Sequence, residues 1–154
     1  MVALDFDLTV IDIHTGGRWR RSADELARHT RPFFRCLIPE CLRNDIMVAI
    51  ATFSTQSELI ESVLATIVPA DVGVPIFGGD LSIDGFDQGK QSQLLSSSRW
   101  YDANHGRRGR PILSSSVLLV DDDLRNIAIA RRDGYRTVQF DPDREELGQM
   151  LMIR

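Results

Sequence analysis

The sequence predicts an α/β domain of three layers, in which helices cover both faces of a parallel sheet of about five strands. Short apolar runs alternate with segments of helical periodicity along the chain. Two of these runs, residues 46–51 (IMVAIA) and 117–120 (VLLV), contain no polar side chain, which indicates parallel strands covered on both faces. The length of 154 residues and the hydrophobic content of 43% suit a single domain over residues 1–154.

Turn residues, caps and prolines divide the chain into elements. In the first half we predict a strand at 2–4, a helical turn at 10–13 and a small hairpin at 14–21 that turns at Gly16-Gly17. The next element is a helix capped by Ser22 or Asp24, with bends at Pro32 and Pro39. The strand 46–51 and a helix opened by Thr55 or Ser57 follow it. In the second half we predict a strand at 75–77, a helix from near Gln88 to about Tyr101, the strand 117–120, a helix at 124–132 ended by Gly134, a strand at 137–140, and a last helix from about Asp143.

Composition limits the class of protein. The net charge of −4 provides no general attraction for nucleic acid or for an anionic membrane, although a nucleic-acid partner is left open. No apolar run approaches the roughly 20 residues that a bilayer-spanning helix needs. The first residues, MVALDFDLTV, carry acids where a signal peptide would carry basic residues. We therefore expect a soluble, cytoplasmic protein without a membrane partner, and the oligomeric state stays open.

Polar side chains follow the predicted strands, at the points where the strands end. Asp5-Phe6-Asp7-Leu8-Thr9 follows the first strand, Thr52-Phe53-Ser54 the second, and Asp121-Asp122-Asp123 the fourth. Lys90, which is the only lysine, stands at the start of the helix after the third strand. Ligands of open parallel sheets bind beyond the carboxyl ends of the strands. These carboxylates, hydroxyls and the ammonium should therefore meet at one edge of the sheet.

The order of these motifs resembles the haloacid dehalogenase (HAD) superfamily over nearly the whole chain. DFDLT at 5–9 is similar to its first motif, Thr52 to the second, Lys90 to the third and VLLVDDD at 117–123 to the fourth. DDDLRNI at 121–127 is also similar to small cap-less magnesium-dependent phosphatases. The resemblance implies a Rossmann-like fold, Mg²⁺ as cofactor and phosphatase activity, since the second aspartate, Asp7, favours phosphate chemistry over carbon–halogen cleavage.

Phosphoryl transfer explains the residue types. Asp5 is the candidate nucleophile, because a carboxylate can form an aspartyl-phosphate and split hydrolysis into two easier steps. Asp7 can protonate the leaving oxygen and then deprotonate the attacking water. Thr52, with Ser54 as the alternative in this role, and Lys90 would hold the phosphoryl oxygens. Thr9 and Ser54 are further candidates for substrate binding.

Mg²⁺ prefers about six oxygen ligands and usually takes one or two carboxylates from the protein. We predict Asp5, Asp122 and the backbone carbonyl of Asp7 as its ligands. By similarity to the fourth motif, Asp122 aligns with the direct ligand and Asp121 would act through water, an assignment that stays open between the two. Asn126 could support the metal site from behind.

The spacings between motifs leave no room for an inserted cap domain. Water must then be excluded by the substrate, by a partner subunit or by the hairpin at 14–21. This favours a large or surface-presented phosphate ester, such as a phosphoprotein or a nucleic-acid end, with small metabolites as the alternative. Arg18 and Trp19 in the hairpin would contact the substrate beyond its phosphoryl group, and the loop 105–110 (HGRRGR) is basic as well.

Three other functions use similar residues. A non-catalytic metal-binding interaction module could keep the fold, but it would have no need of Asp7. A phosphotransferase or mutase could use the same core, but mutases of the superfamily generally need a cap. A response-regulator receiver is disfavoured because its paired acids come first in the chain, whereas here an acidic cluster closes the series. Taken singly, the acids could also serve only as helix caps.

Overall fold

The computed structural model describes residues 1–69, 71–79, 89–105 and 111–141. The predicted last helix from Asp143, the basic stretch 106–110 and the predicted helix start near Gln88 lie outside these residues. Over the described ranges, no helix is long and apolar enough to cross a membrane.

Five parallel strands form one sheet in the order β3-β2-β1-β4-β5. The strands are β1 (Val2–Leu4), β2 (Val48–Ala51), β3 (Ile76–Phe77), β4 (Leu118–Asp121) and β5 (Arg136–Gln139). The register pairs Leu4 with Ile50 on one side and with Val120 on the other. The predicted α/β class, the parallel sheet and its five strands are confirmed.

Helices cover both faces of the sheet. They are α1 (Ala23–Ala27), α2 (Pro32–Arg43), α3 (Ser57–Leu64), α4 (Gln91–Asn104) and α5 (Leu124–Arg132). Leu4 packs into the larger core with residues of α1, α2 and α3, whereas Ala3 faces a smaller core with residues of α4 and α5. Successive strand residues point to opposite faces, so the chain forms three layers. The described residues include no inserted cap.

The first predicted helix is two helices. α1 is capped by Ser22, whose hydroxyl accepts from the Glu25 N–H at 3.2 Å. Pro32 occupies the first turn of α2, where its missing N–H costs nothing, and a short connection separates the helices there. Pro39 lies inside α2 without ending it. α3 begins at Ser57, one of the two residues predicted to open it, and Gln56 holds the position before it without a side-chain cap bond.

The chain turns immediately after β1 rather than at 10–13. Residues Phe6–Val10 form one wide turn that is closed by the Ile11 N–H donating to the Phe6 carbonyl at 3.0 Å. Leu8 adopts φ +61°, a left-handed conformation rare for a non-glycine residue. This fold-back lets Ile11 bridge Thr30 in antiparallel fashion. Residues 14–21 have no paired strands, so the predicted hairpin is an irregular loop.

The chain beyond β3 passes very close to the chain beyond β2. A methyl group placed on Gly79 would lie 2.7 Å from the Phe53 carbonyl oxygen and 3.1 Å from its Cα. One on Gly78 would lie 2.6 Å from the Ser54 carbonyl oxygen. These are contacts with backbone atoms, which cannot rotate away. Glycine at both positions therefore allows the two segments to pack where the candidate site lies.

Gly79→Ala is expected to lower the free energy of unfolding by about 2 kcal/mol, because overpacking against backbone forces the strands apart. Urea unfolding followed by circular dichroism measures the change. Gly73→Ala is the matched control, since nothing lies within 4 Å of a methyl group there. Equal unfolding free energies for the two variants would show that the close approach at Gly79 is not constraining.

Candidate active site

A pocket of about 540 Å³ opens beyond the carboxyl ends of the strands. It lies at the switch point of the sheet, where β1 and β4 are neighbours and the chain leaves them in opposite directions. The residues lining it include eight predicted from the sequence, namely Asp5, Asp7, Thr52, Ser54, Lys90, Asp121, Asp122 and Asn126. The structure thus brings together side chains from the ends of β1, β2 and β4 and the start of α4.

Lys90 is the centre of the site, and its side chain is 1% exposed. Its ammonium Nζ forms an ion pair with Asp5 Oδ1 and a second, at 2.9 Å, with Asp121 Oδ2. Burial acts to lower the pKa of Lys90, but the two carboxylates more than offset this and raise it above its ordinary value. The ring of Phe53 also lies 5.4 Å from Nζ. Lys90 is therefore a fixed positive charge.

Gly89 sets the direction of Lys90. It has φ +63°, a left-handed conformation that glycine adopts without strain. A methyl group on Gly89 would also lie 3.1 Å from Gln91 Oε1 and 3.4 Å from Ile129. The conformation of Gly89 therefore directs Lys90, the residue before α4, into the pocket.

Asp5 is a buried carboxylate between charges of opposite sign. Burial raises the pKa of Asp5 above its ordinary value, Lys90 opposes this effect, and Asp121 adds to it. The Asp5 backbone N–H donates to the Val120 carbonyl at 2.9 Å, which extends the β1–β4 ladder by one residue. The carboxylate is thus held on a rigid element and is paired to a cation.

The site has the donor set of a hard divalent cation. Asp5, Asp121 and Asp122 each offer an oxygen, and these atoms lie within 4.8 Å of one another. Oxygen donors and an excess of carboxylate over ammonium suit Mg²⁺. Burial also raises the pKa of Asp122, an effect that a nearby cation would oppose. The residues fit the metal that the sequence predicts, and both Asp121 and Asp122 belong to the set.

Two neighbours orient these carboxylates. The Asn126 amide donates to Asp121 Oδ1 at 3.3 Å and to Oδ2 at 3.1 Å, and its support of a metal site stays a prediction. The Thr9 hydroxyl donates to Asp122 Oδ1 at 3.1 Å and accepts from the Asp122 N–H at 3.2 Å. Thr9 is fully buried and is absent from the pocket wall. It holds Asp122 instead of contacting a substrate, which corrects its predicted role.

Asp7 lines the pocket with one carboxylate oxygen held and the other without a partner. Oδ2 accepts from the Thr15 hydroxyl at 2.8 Å and from the Thr15 N–H at 3.3 Å. Oδ1 is buried and has no hydrogen-bond partner within the described part of the chain. Thr15 and the pocket residue His14 were not predicted as site residues, because nothing in the sequence signals a contact formed by the loop's path.

The end of β2 supplies the hydroxyls. Thr52 is 2% exposed, and its Oγ1 accepts from the Ser54 N–H at 3.1 Å. Thr52, Phe53 and Ser54 all line the pocket. The choice between Thr52 and Ser54 as the phosphoryl-binding hydroxyl stays a prediction.

The loop at 14–21 places Arg18 and Trp19 differently from each other. Arg18 is exposed and follows Gly17, which lines the pocket. Trp19 instead packs against the larger core, and its indole N–H donates to the Ser22 carbonyl at 3.1 Å. Trp19 is not among the pocket residues, and its contact with the substrate beyond the phosphoryl group stays a prediction. The apolar neighbours of Trp19 are distant in the chain. The local sequence around Arg18 and Trp19 therefore could not indicate that one side chain is exposed and the other packs against the core.

No protein-family model matches the sequence, and no curated protein matches it either. Solved structures do match. The N-terminal part of protein BF1531 from Bacteroides fragilis, described as containing a phosphatase domain complexed with Mg, has a TM-score of 0.64 and 12% identity over 98% of this chain. This chain spans only 38% of that one.

Two matches are of similar length to this chain. A predicted HAD-like family hydrolase from Porphyromonas gingivalis has a TM-score of 0.54 and 12% identity, over 99% of this chain and 97% of that one. An uncharacterized protein from Corynebacterium glutamicum has a TM-score of 0.54 and 14% identity, over 99% and 92%. At these identities the likeness is one of fold.

Proposed function

We propose that this chain, which has a HAD-like fold, is a Mg²⁺-dependent phosphatase that hydrolyses a phosphate monoester through an aspartyl-phosphate on Asp5. The observation that carries the proposal is the pair of contacts from Lys90 to Asp5 and Asp121, with Asp122 beside them. These contacts join the ends of β1 and β4 and the start of α4 in a single charged cluster. Burying several charged groups together costs free energy, and such a cluster is typical of a functional site.

In the first step an Asp5 carboxylate oxygen forms a bond to phosphorus while the bond from phosphorus to the ester oxygen breaks. Asp7 gives its proton to the leaving oxygen. In the second step water attacks phosphorus, Asp7 takes a proton from this water, and the bond between phosphorus and Asp5 breaks. Inorganic phosphate leaves, and both aspartates regain their starting states.

The remaining residues bind and orient. Asp5, Asp121 and Asp122 would hold Mg²⁺, together with the predicted backbone carbonyl of Asp7, and the bound cation would offset charge on the phosphoryl oxygens. Lys90 and Thr52 would hold those oxygens from the other side. Thr9 and Asn126 keep the carboxylates in place.

The shape of the site favours a phosphate ester that is presented from a larger molecule. The described residues form no cap, and one wall of the pocket is the loop at 14–21 through His14 and Gly17. Arg18, Arg20 and Arg21 in this loop are exposed, and guanidinium groups suit phosphate and carboxylate oxygens. A phosphoprotein or another large ester fits this surface.

Hydrolysis of para-nitrophenyl phosphate with Mg²⁺, and with EDTA in its place, tests the proposal. Turnover that needs the metal supports it. Binding of Mg²⁺ without turnover of this ester or of phosphopeptides would favour the non-catalytic interaction module instead. Transfer of the phosphoryl group to an added alcohol in place of water would favour the phosphotransferase.

Asp7→Asn is expected to slow esters of alkyl alcohols more than esters of para-nitrophenol. The nitrophenolate leaves without a proton, whereas an alkoxide needs one, and a general acid contributes about 10²-fold or more in that case. The ratio of kcat/KM for the two ester types measures this selectivity. An equal loss on both esters would assign Asp7 a role in binding rather than in proton transfer.

A further inference from the structure

The side chain of Gln56 joins two parts of the molecule that are far apart in sequence. Its Oε1 accepts from the Trp19 N–H at 2.9 Å, and its Nε2 donates to the Gly17 carbonyl at 2.6 Å. One amide thus satisfies two backbone groups of the loop at 14–21, which we name the strap. Gln56 could not be singled out from the sequence, because its partners lie 37 and 39 residues away.

Gln56 is itself attached to the phosphate-binding end of β2. Its backbone N–H donates to the Ser54 hydroxyl at 3.2 Å, and the Ser54 N–H donates to the Thr52 hydroxyl at 3.1 Å. A continuous series of hydrogen bonds therefore links the strap to the predicted phosphoryl-binding hydroxyls.

Two further residues of the strap, Thr15 and Trp19, are held by contacts of their own. Thr15 donates twice to Asp7, and the Trp19 ring packs against the larger core with its edge toward His29, 6.4 Å between ring centres. Gly16 and Gly17 have φ of +68° and +99° between these anchors. Such glycines gain conformational freedom when released, so the strap needs a restraint at its middle. Gln56 supplies that restraint, next to the part of the strap that lines the pocket.

We infer that Gln56 is a positioning residue that fixes the strap as a wall of the pocket, and that this wall limits the size of the ester that enters. The second part rests on the proposed function. The described residues include no cap, and this wall is a loop whose position depends on contacts with side chains from elsewhere in the chain. The amide of Gln56 offers an acceptor for the Trp19 N–H and a donor for the Gly17 carbonyl, whereas an ionised carboxylate can only accept.

Trp19 provides a direct readout of the strap. The chain contains two tryptophans, so Trp100→Phe leaves Trp19 as the only one. In this background, Gln56→Ala is expected to raise the acrylamide quenching constant of Trp19 by about twofold, because two backbone hydrogen bonds are lost and the strap opens locally. Gln56→Glu has the same shape but no N–H for the Gly17 carbonyl, and it should shift the constant in the same direction.

The matched control is Glu61→Ala, an exposed position on the same helix. It should leave the quenching constant and the melting temperature unchanged. The second readout compares kcat/KM for phenyl phosphate and for the bulkier 1-naphthyl phosphate. Release of the wall should shift this ratio toward the naphthyl ester by about fivefold, the effect of a modest change in pocket contacts.

Each outcome decides one part of the inference. Equal quenching in Gln56→Ala, Gln56→Glu and Glu61→Ala would overturn the fixing role of Gln56. Raised quenching with an unchanged ratio of kcat/KM for the two esters would overturn the limit on ester size. The role of Gln56 in holding the strap would then still stand. If the wild-type chain hydrolyses neither ester, the proposed function and the size limit fail together, while the quenching comparison still decides whether Gln56 holds the strap.

Discussion

Asp5→Asn is expected to reduce the hydrolysis of para-nitrophenyl phosphate by about 10⁴-fold or more, the scale seen when a nucleophile is removed from a catalytic group that acts as a unit. The amide is nearly the same size as the carboxylate, but it is a poor nucleophile and carries no charge to pair with Lys90. The measurement is steady-state kcat with saturating Mg²⁺. The wild-type chain should also trap phosphate covalently when it is quenched in acid, and the variant should not.

Asp12→Asn is the matched control for this change. Asp12 is an exposed aspartate whose contact is with His29 at 2.7 Å, outside the pocket. Exposed pairs of this kind contribute little to stability, so its kcat should equal that of the wild-type chain. Turnover by Asp5→Asn within tenfold of the wild-type rate would exclude Asp5 as the nucleophile and with it the aspartyl-phosphate route.

Local sequence signals were sufficient for the frame of the site. The apolar run before Asp121 indicates a covered strand, which the structure contains as β4. Asp123 caps α5 by accepting from the Arg125 N–H at 2.8 Å. Parallel strands then bring their carboxyl ends to one edge. Because their strand ends meet there, the approach of Asp5, Thr52 and Asp121 could be predicted from the sequence.

The path of the chain between these motifs could not be predicted in the same way. Leu8 is left-handed although it is not a glycine, so no residue type indicated the turn. The turn begins at Phe6 instead of at residue 10, which is four residues closer to β1 than predicted. Thr9 was predicted as a substrate-binding hydroxyl, but it is buried and bonds to Asp122, 113 residues away in the chain. Gln56 and Trp19 depend on contacts of the same distant kind. Such roles are set by packing between elements, which periodicity does not encode.

Lys90→Met is expected to destabilise the metal-free chain by about 3 kcal/mol, because removing one partner of a buried ion pair leaves the other uncompensated. Here two carboxylates, Asp5 and Asp121, would lose their shared cation. Methionine keeps most of the length and apolar volume of the lysine stem, so the loss reports charge rather than a cavity. Urea unfolding in EDTA measures the change.

Mg²⁺ separates this explanation from a simple packing defect. A cation that binds the folded state stabilises it by mass action, and in Lys90→Met it no longer competes with an ammonium for Asp5 and Asp121. Mg²⁺ should therefore raise the unfolding free energy of the variant by more than it raises that of the wild-type chain. The same variant should still lose about 10²-fold in kcat, because a fixed donor to the phosphoryl oxygens is gone. An equal effect of Mg²⁺ on both chains would mean that the metal does not share carboxylates with Lys90, and Asp5 and Asp121 would then not be its ligands.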